Sequence, residues 1–538
     1  MISLWAWLFR AFVSTHIDVL ILLFLAVTFS FYAFSRLPPL FPLICGEKLD
    51  LRLFCGFSAL CACVDTKRNL TQLFLLSAVS TGRSLRMTAL FNLSPNALLN
   101  WLDKIEWLCA VISFPFLLAL FLFLWRNFLN LLRKCGGKSL WGNKMETAVF
   151  AVLFAFHAFA VSWYFMHSSA GYGGDKAYNN LLFGTDSGGL HNRNYFLMGY
   201  GSREPVFYVF SAFLSGCLSS LHILPVQAEW LYPLALQLEH LALLLTANRI
   251  LACFMGRTSV SRCLLMILLS LSFPVLFFGL VIEKYILAYF WLIILVCLCI
   301  RRERSAFAVC AAGGTMLPSA LLSIFASEHS PRRETKAWLS DMLHYMMCFA
   351  ASLVLLAPGL VLFRFQSSTV FVVSNMPFLQ RFYQYTGLLG AFFLFPAAEV
   401  IPVLEGTLEM PHWVYTVLEH WNPVGLAVLA AVIISAVWNR RNRLCQIAAV
   451  WAVFSFVLHI VIGFGADEIA LYTLYYMWAY VILLYALAER LGDLLGIQRL
   501  PDLVCILCII VFLCVNIPAI GRMIQFSIQY YPPGFFSV

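Results

Sequence analysis

The chain has 538 residues, 62% of them hydrophobic and only 11% charged. Soluble globular domains carry roughly a quarter charged residues, so this composition excludes a soluble enzyme or a soluble binding module. The formal net charge of +9 does not point to nucleic acid, because the Lys and Arg residues fall in short clusters between apolar runs, as they do in cytoplasmic loops.

The apolar runs are long enough to cross a bilayer core of about 30 Å as helices, and they recur along the whole chain. About 13 are expected, at 17–35, 106–126, 147–166, 228–250, 263–282, 284–300, 306–326, 343–364, 384–404, 424–438, 444–464, 468–488 and 503–521. The first is too long for a signal-peptide core and lacks a clear cleavage site, so it is expected to be retained. Residues 36–105 are mixed and yield no count of crossings. The chain divides into an N-terminal membrane extension (1–145), a transmembrane core (146–490) with an external loop at 167–204, and a C-terminal helix with its tail (491–538). Most of the 17 cysteines lie inside apolar runs, where they act as small hydrophobes. No CxxC pair has partners at zinc-ligand spacing.

Basic clusters set the orientation. Arg126, Arg133, Lys134, Lys138 and Lys144 precede one span, and Arg249, Arg257 and Arg262 precede another. Arg301, Arg302 and Arg304 follow a third, and Arg440, Arg441 and Arg443 precede a fourth. The positive-inside tendency places all four on the cytoplasmic side. One crossing outward from each then places Asp186, Glu283 and Glu468 together on the opposite face. Two features strain this scheme. Between 167 and 262 one apolar segment too many appears, so 205–225, rich in Ser and Gly, is expected to lie along the outer surface. Arg332, Arg333 and Lys336 fall on the outside, against the rule.

Four places carry polar chemistry. The loop HSSAGYGGDKAYNNLLFGTDSGGLHNRNYFLMGYGSREP contains Asp175, Asp186, His191, Arg193, Arg203 and Glu204. A solvated surface role suits Asp175, His191 and Arg193 best. Asp186 follows the amphipathic run YNNLLFG and precedes a Ser-Gly-Gly turn that would hold its carboxylate near the membrane surface. In VIEKYILAYF, Glu283 and Lys284 sit where two apolar runs meet. They are either a plain hairpin turn or a carboxylate and an ammonium at the depth of a lipid phosphate, which Lys can neutralise as a point charge, with the Tyr285 hydroxyl beside it. In ADEIALYTLYYMWAY, Tyr472, Tyr475 and Tyr476 share one helical face below Asp467 and Glu468, and an interfacial aromatic belt is the simpler account. In WLYPLALQLEHLALLL, Gln237, Glu239 and His240 fall near the middle of a span, and a satisfied internal pair is favoured over a proton relay. No Walker, HExxH, GxSxG or dinucleotide-binding fingerprint stands in a suitable context.

LLFGTDSG, SREPVFYVF, SFPVLFFGLVIEKYILAYF and LYTLYYMWAY together resemble the GT-C superfamily of integral-membrane glycosyltransferases, in particular the bacterial relatives of protein mannosyltransferases and aminoarabinose transferases. The resemblance covers about 147–490. It departs from the family where Ser187 follows Asp186 in place of a second acidic residue, and where Glu204 stands in place of a His before Pro205. It implies an all-α polytopic membrane protein, a GT-C-like helical bundle with an external loop and a juxtamembrane helix. It also implies a multi-pass protein of a bacterial inner membrane with its site facing outside. The implied activity is transfer of a sugar from a polyprenyl-phosphate donor to a lipid, glycan or protein acceptor, among membrane lipids and without nucleic acid. Asp186 and Glu283 are then the catalytic candidates, with Asp186 as general base. Lys284, with Arg203, would stabilise the departing phosphate, and Tyr285, Glu204, His191, Tyr472 and Tyr475 complete the substrate-binding set. Some members of the superfamily use a divalent cation; Asp186 and Glu283 could supply hard oxygen ligands, though nothing in the sequence demands a cofactor. The rival readings are a transporter or flippase of lipid-linked saccharides working through Glu239 and His240, and a polysaccharide polymerase or ligase.

Overall fold

The structure, a computed structural model, describes residues 131–135, 142–172, 182–183, 230–303, 305–329, 333–356, 373–405 and 408–533. These form a mostly helical bundle in chain order: α1 (Lys144–His167), α2 (Leu231–Met255), α3 (Ser259–Leu271), α4 (Phe273–Leu280), α5 (Tyr285–Arg301), α6 (Ala306–Thr315), a 3-10 helix (Leu317–Phe325), α7 (Thr335–Leu356) and α8 (Phe378–Ala391). Strands β1 (Ala398–Glu405) and β2 (Leu408–Tyr415) follow, then α9 (Pro423–Trp438), α10 (Arg443–Phe456), a π turn (Val457–Ile462), a second 3-10 helix (Ala466–Tyr472), α11 (Thr473–Leu495) and α12 (Leu500–Tyr530). Among the described residues five helices are long and apolar enough to cross a membrane, or six if α3 and α4, bent by 59° at Ser272, make one span. The expected segments at 17–35, 106–126 and 205–225 lie outside the described residues.

Local chemistry starts and stops these helices. The Asn143 side chain accepts the backbone N–H groups of Met145 and Glu146 and caps α1. Thr258 caps α3 through Ser261, and Asn422 caps α9 through Gly425, with Pro423 at the first turn. Such caps satisfy N–H groups that have no intrahelical partner. Lipid has no water to take that role, so every break inside the bundle must find protein partners. Asn516 of α12 meets this need at two breaks. Its amide donates to the carbonyls of Leu271 (2.8 Å) and Phe393 (2.7 Å), and its oxygen accepts from Phe395 N–H (2.8 Å).

The described members of the four expected basic clusters meet at one end. The Glu146 carboxylate, almost fully buried, takes the guanidinium of Arg262 at 2.7 Å and the hydroxyl of Ser259 at 2.9 Å. Arg249 donates to Thr147, Lys134 pairs with Glu303, and Arg257 pairs with Glu489. Arg443 donates to the carbonyls of Cys299 (2.9 Å) and Phe325 (2.7 Å).

That last pair of bonds corrects two expectations. Residues 306–326 do not form one span: α6 runs inward from the basic end and breaks at Met316-Leu317-Pro318. The 3-10 helix then returns beside it, ending at Phe325 on the same Arg443. Gly313 permits the close packing, since a β-carbon there would lie 3.1 Å from that of Ala320. The first turns of α7 therefore start from the basic end as well. Trp338 donates to the Ile324 carbonyl, Ser327 to Asp341, and Tyr345 to the Ala326 carbonyl. Arg333 and Lys336 thus belong with the other basic residues, and the exception to the charge rule disappears for them.

A third correction concerns 384–404. Helix α8 ends at Ala391, and the apolar residues after it enter an antiparallel hairpin in which Ala398 faces Tyr415 and Glu405 faces Leu408. The bundle is therefore not all-α. Pro396 and Pro402 forbid continuation of the helix, and hydropathy alone does not register them. Helix α12 packs into the same bundle, since Ser169 N–H and the Ser168 hydroxyl bond to the Tyr531 carbonyl at its end.

Candidate functional site

The site lies at the end of the bundle opposite the basic residues. Helix α4 closes at Leu280, and Gln237 of α2 donates to the freed Phe278 carbonyl at 2.7 Å. That bond accounts for the Gln237 amide nitrogen. Glu239 and His240, adjacent on α2, leave the helix about 100° apart.

The four residues after α4 carry the chain to α5. Ile282 N–H bonds to the Gly171 carbonyl at 3.1 Å, tying this turn to the start of the 167–204 loop. Gly171 is required here: a β-carbon would lie 2.8 Å from the Leu280 carbonyl and 2.7 Å from the rings of Tyr164 and Phe165. The next residue in the turn is Glu283, 1% exposed, whose Oε1 accepts the backbone N–H of Lys284 at 3.2 Å. Its carboxylate stands at the N-terminus of α5, where the helix dipole favours negative charge. Lys284 is half-buried beside it.

The second half of the site comes from the segment between α10 and α11. The π turn frees carbonyls, and Arg381 of α8 takes those of Ile460 (3.2 Å) and Val461 (3.3 Å). Gly465 then adopts φ +56° and sits against the Tyr472 ring, where a β-carbon would come within 2.5 Å. The chain is thereby turned into the 3-10 helix that carries Asp467 and Glu468. Tyr285 meets Tyr475 edge-on at 4.8 Å and Tyr472 at 6.1 Å between ring centres. His459 of the π turn packs on Tyr472 and Tyr476, both at 5.3 Å, and its Nδ1 bonds to the Phe464 carbonyl. Tyr475 and Tyr476 are buried among these groups. They form an internal aromatic cluster, and the aromatic-belt expectation for them is corrected.

Of the expected site residues, the structure brings Glu283, Lys284, Tyr285, Tyr472 and Tyr475 together. Glu283 and Glu468 share one end of the bundle. Asp186, His191, Arg203 and Glu204 lie outside the described residues. The same loop is nonetheless represented at this end by Leu182 and Phe183. Phe183 N–H bonds to the Trp413 carbonyl at 2.7 Å, and its ring stacks on Tyr415 at 4.3 Å. Phe183 holds φ +55°, a conformation unfavourable for a bulky residue and found where surrounding structure enforces it. Its ring also contacts Phe273, Phe277 and Phe395.

Sequence reasoning missed the hairpin and what it contributes. The alternating EVIPV and the turn-forming Glu-Gly after it carry a strand signal, masked by the apolar run before them. Burial pushes the Tyr415 phenol well above its ordinary pKa, and the nearby Glu468 charge adds to the shift, so the phenol stays protonated. Beside it opens a cavity of about 140 Å³ between α8, the root of the hairpin and the second 3-10 helix, with Asp467 on its wall.

Among the described residues no three His, Cys, Asp or Glu side chains gather into a metal-binding group. Of the two expected oxygen ligands, Glu283 accepts the Lys284 N–H and Asp186 lies outside the described residues. No family model, curated protein or solved structure matches the chain.

Proposed function

We propose that this protein is a polytopic membrane glycosyltransferase that moves a sugar from a polyprenyl-phosphate donor to an acceptor on the non-cytoplasmic face. The observation that carries this reading is the meeting of the Glu283-Lys284-Tyr285 turn with Tyr472 and Tyr475, at the end of the bundle away from the clustered arginines. An amphiphilic donor and a polar acceptor can react only where lipid meets water. This end offers a cation at that boundary, an aromatic floor under it, and attachment of the loop that carries the sequence's acidic candidate.

In this mechanism Lys284 neutralises the donor phosphate, and its charge becomes more favourable as the sugar–phosphate bond breaks and negative charge grows on the leaving oxygen. Tyr285 and Tyr472, half-buried, flank the sugar and the first isoprene, with Tyr475 packed beneath them. Asp186, three residues after Phe183 in sequence, acts as the general base that takes the proton of the acceptor hydroxyl. Glu283, buried beneath Lys284, holds the turn at the helix N-terminus and is a positioning residue.

The test is release of polyprenyl phosphate by the purified full-length protein, offered a panel of polyprenyl-phosphate sugars with and without candidate acceptors. Acceptor-dependent release from one donor is expected. Movement of an intact lipid-linked saccharide between leaflets, with no release of polyprenyl phosphate, would establish the transporter reading in its place.

A further inference from the structure

We propose that the cavity between α8, the hairpin root and the second 3-10 helix holds the acceptor, through a group that donates hydrogen bonds and carries no negative charge: a sugar hydroxyl or an amine. This rests on the transferase reading above and assigns the two substrates to two separate parts of the site.

Size is the first argument. The cavity's roughly 140 Å³ is about ten times the space that one buried water needs, enough for a single sugar ring or a headgroup. Its floor is built for close approach. Gly387 and Gly390 of α8 lie on it, and a β-carbon at Gly390 would already stand 3.3 Å from the Asn422 amide.

Charge is the second. Among the described residues that line it, Asp467 is the one ionisable carboxylate, and no Lys, Arg or His joins it. Glu468 adds a further negative charge near the Tyr415 phenol. A phosphate placed here would meet like charge without a compensating cation. The Lys284 corner lies on the other side of the same short helix: Ile469 and Ala470 line the cavity, whereas Tyr472, two residues on, meets Tyr285. Donor phosphate and acceptor are thus separated by one turn of backbone.

Hydrogen-bonding capacity is the third. Asp467 Oδ1 accepts the Ser374 hydroxyl at 2.8 Å. An ionised carboxylate accepts about four hydrogen bonds and donates none, so its remaining capacity suits O–H or N–H donors. The Tyr415 hydroxyl is buried and has no partner among the described residues, although a buried hydroxyl normally finds one. A ligand hydroxyl in the cavity would take up the capacity left on Asp467, whereas the Tyr415 hydroxyl, enclosed by protein, is reached only when its ring moves.

The experiment measures equilibrium binding to the full-length protein in lipid nanodiscs with four probes: undecaprenyl phosphate, methyl α-mannoside, glucosamine and glucuronate. The unmodified protein should bind the mannoside or glucosamine and discriminate against glucuronate. Asp467→Asn should weaken glucosamine by about tenfold or more, since a hydrogen bond to a charged group is lost, and leave undecaprenyl phosphate within about twofold. Tyr415→Phe keeps the ring stacked on Phe183 and should weaken the mannoside alone. Lys284→Ala should weaken undecaprenyl phosphate and spare the sugars. Failure of the unmodified protein to bind any of the sugars overturns the proposal. So does an Asp467→Asn variant of unchanged thermal stability that binds them as before. Loss of both ligand classes together in Asp467→Asn also overturns it. Should the sugars bind through Asp467 while undecaprenyl phosphate does not bind at all, the cavity assignment stands and the transferase reading falls. The reverse outcome fells the cavity assignment alone.

Discussion

The two ends of this bundle are built on opposite principles. At the basic end several charged groups are matched: Glu146 has Arg262 and Ser259, Arg257 has Glu489, and Arg443 spends its donors on two helix-terminal carbonyls. At the other end, polar groups are held without such matching. Tyr415, Tyr476 and His459 keep polar atoms with no partner among the described residues. Left-handed backbone occurs at both ends, at Phe183, Gly463 and Gly465 here and at Arg302 and Gly496 at the basic end. A saturated network makes a joint, because each side chain is fixed by its neighbours. Unspent hydrogen-bonding capacity beside a cavity makes a place for a ligand, and strain that persists there is supported by the packing around it.

The largest effect that would sharpen this contrast is structural. Arg262→Ala would leave the buried Glu146 carboxylate without its cation, which costs about 3–5 kcal/mol. Thermal melting in detergent should fall accordingly, while donor affinity of the protein that remains folded should be unchanged. If melting is unmoved, the basic end is not the joint described.

Asp186→Asn tests the proposed base. It keeps size and removes the proton-accepting charge, so turnover should fall at least about a hundredfold, or about 2.7 kcal/mol in the barrier. Melting temperature and donor affinity should hold. Full turnover in this variant would remove Asp186 as the base.

Gly465→Ala should act on both stability and binding. A non-glycine residue in the left-handed region costs about 1–2 kcal/mol, and the new β-carbon must displace the Tyr472 ring. Melting should fall modestly and undecaprenyl phosphate binding should weaken several-fold. Binding unaffected by a displaced Tyr472 would take that residue out of the site.

Lys284→Ala should raise the dissociation constant for undecaprenyl phosphate about tenfold, the equivalent of roughly 1.4 kcal/mol. Tyr476→Phe should do least. It removes a hydroxyl with no partner among the described residues, so stability should change by no more than about 0.5 kcal/mol or rise slightly. A loss of several kcal/mol in melting experiments would show that this hydroxyl is already satisfied.

Much of this architecture is legible in the amino-acid order. Asn143, Thr258 and Asn422 announce helix starts, and the runs 147–166 and 284–300 match α1 and α5 to within a few residues. The basic clusters identify one end of the bundle, and Glu283, Lys284 and Tyr285 are recognisable as the turn between two apolar runs. Meeting Tyr472 and Tyr475 was expected only as a shared face of the membrane. The cavity beside Asp467 is not legible in the sequence, because its walls come from three separate stretches between Gln384 and Ala470.

The sequence by itself determined the class of the protein, the places where most helices begin, and the separation of basic from acidic positions. These follow from transfer free energy and from capping, which are local properties of a dozen or so residues. Tertiary structure alone decided which apolar segments cross and which turn back. An apolar run can return from the bilayer only if other parts of the chain take up the backbone groups exposed at its break. Arg443 does so for the carbonyl that ends the first 3-10 helix, Asn516 for the ends of α3 and α8, and Arg381 for the π turn. Each of those partners is at least 79 residues away along the chain, so no window of the sequence short enough to define a helix contains both halves of the bond.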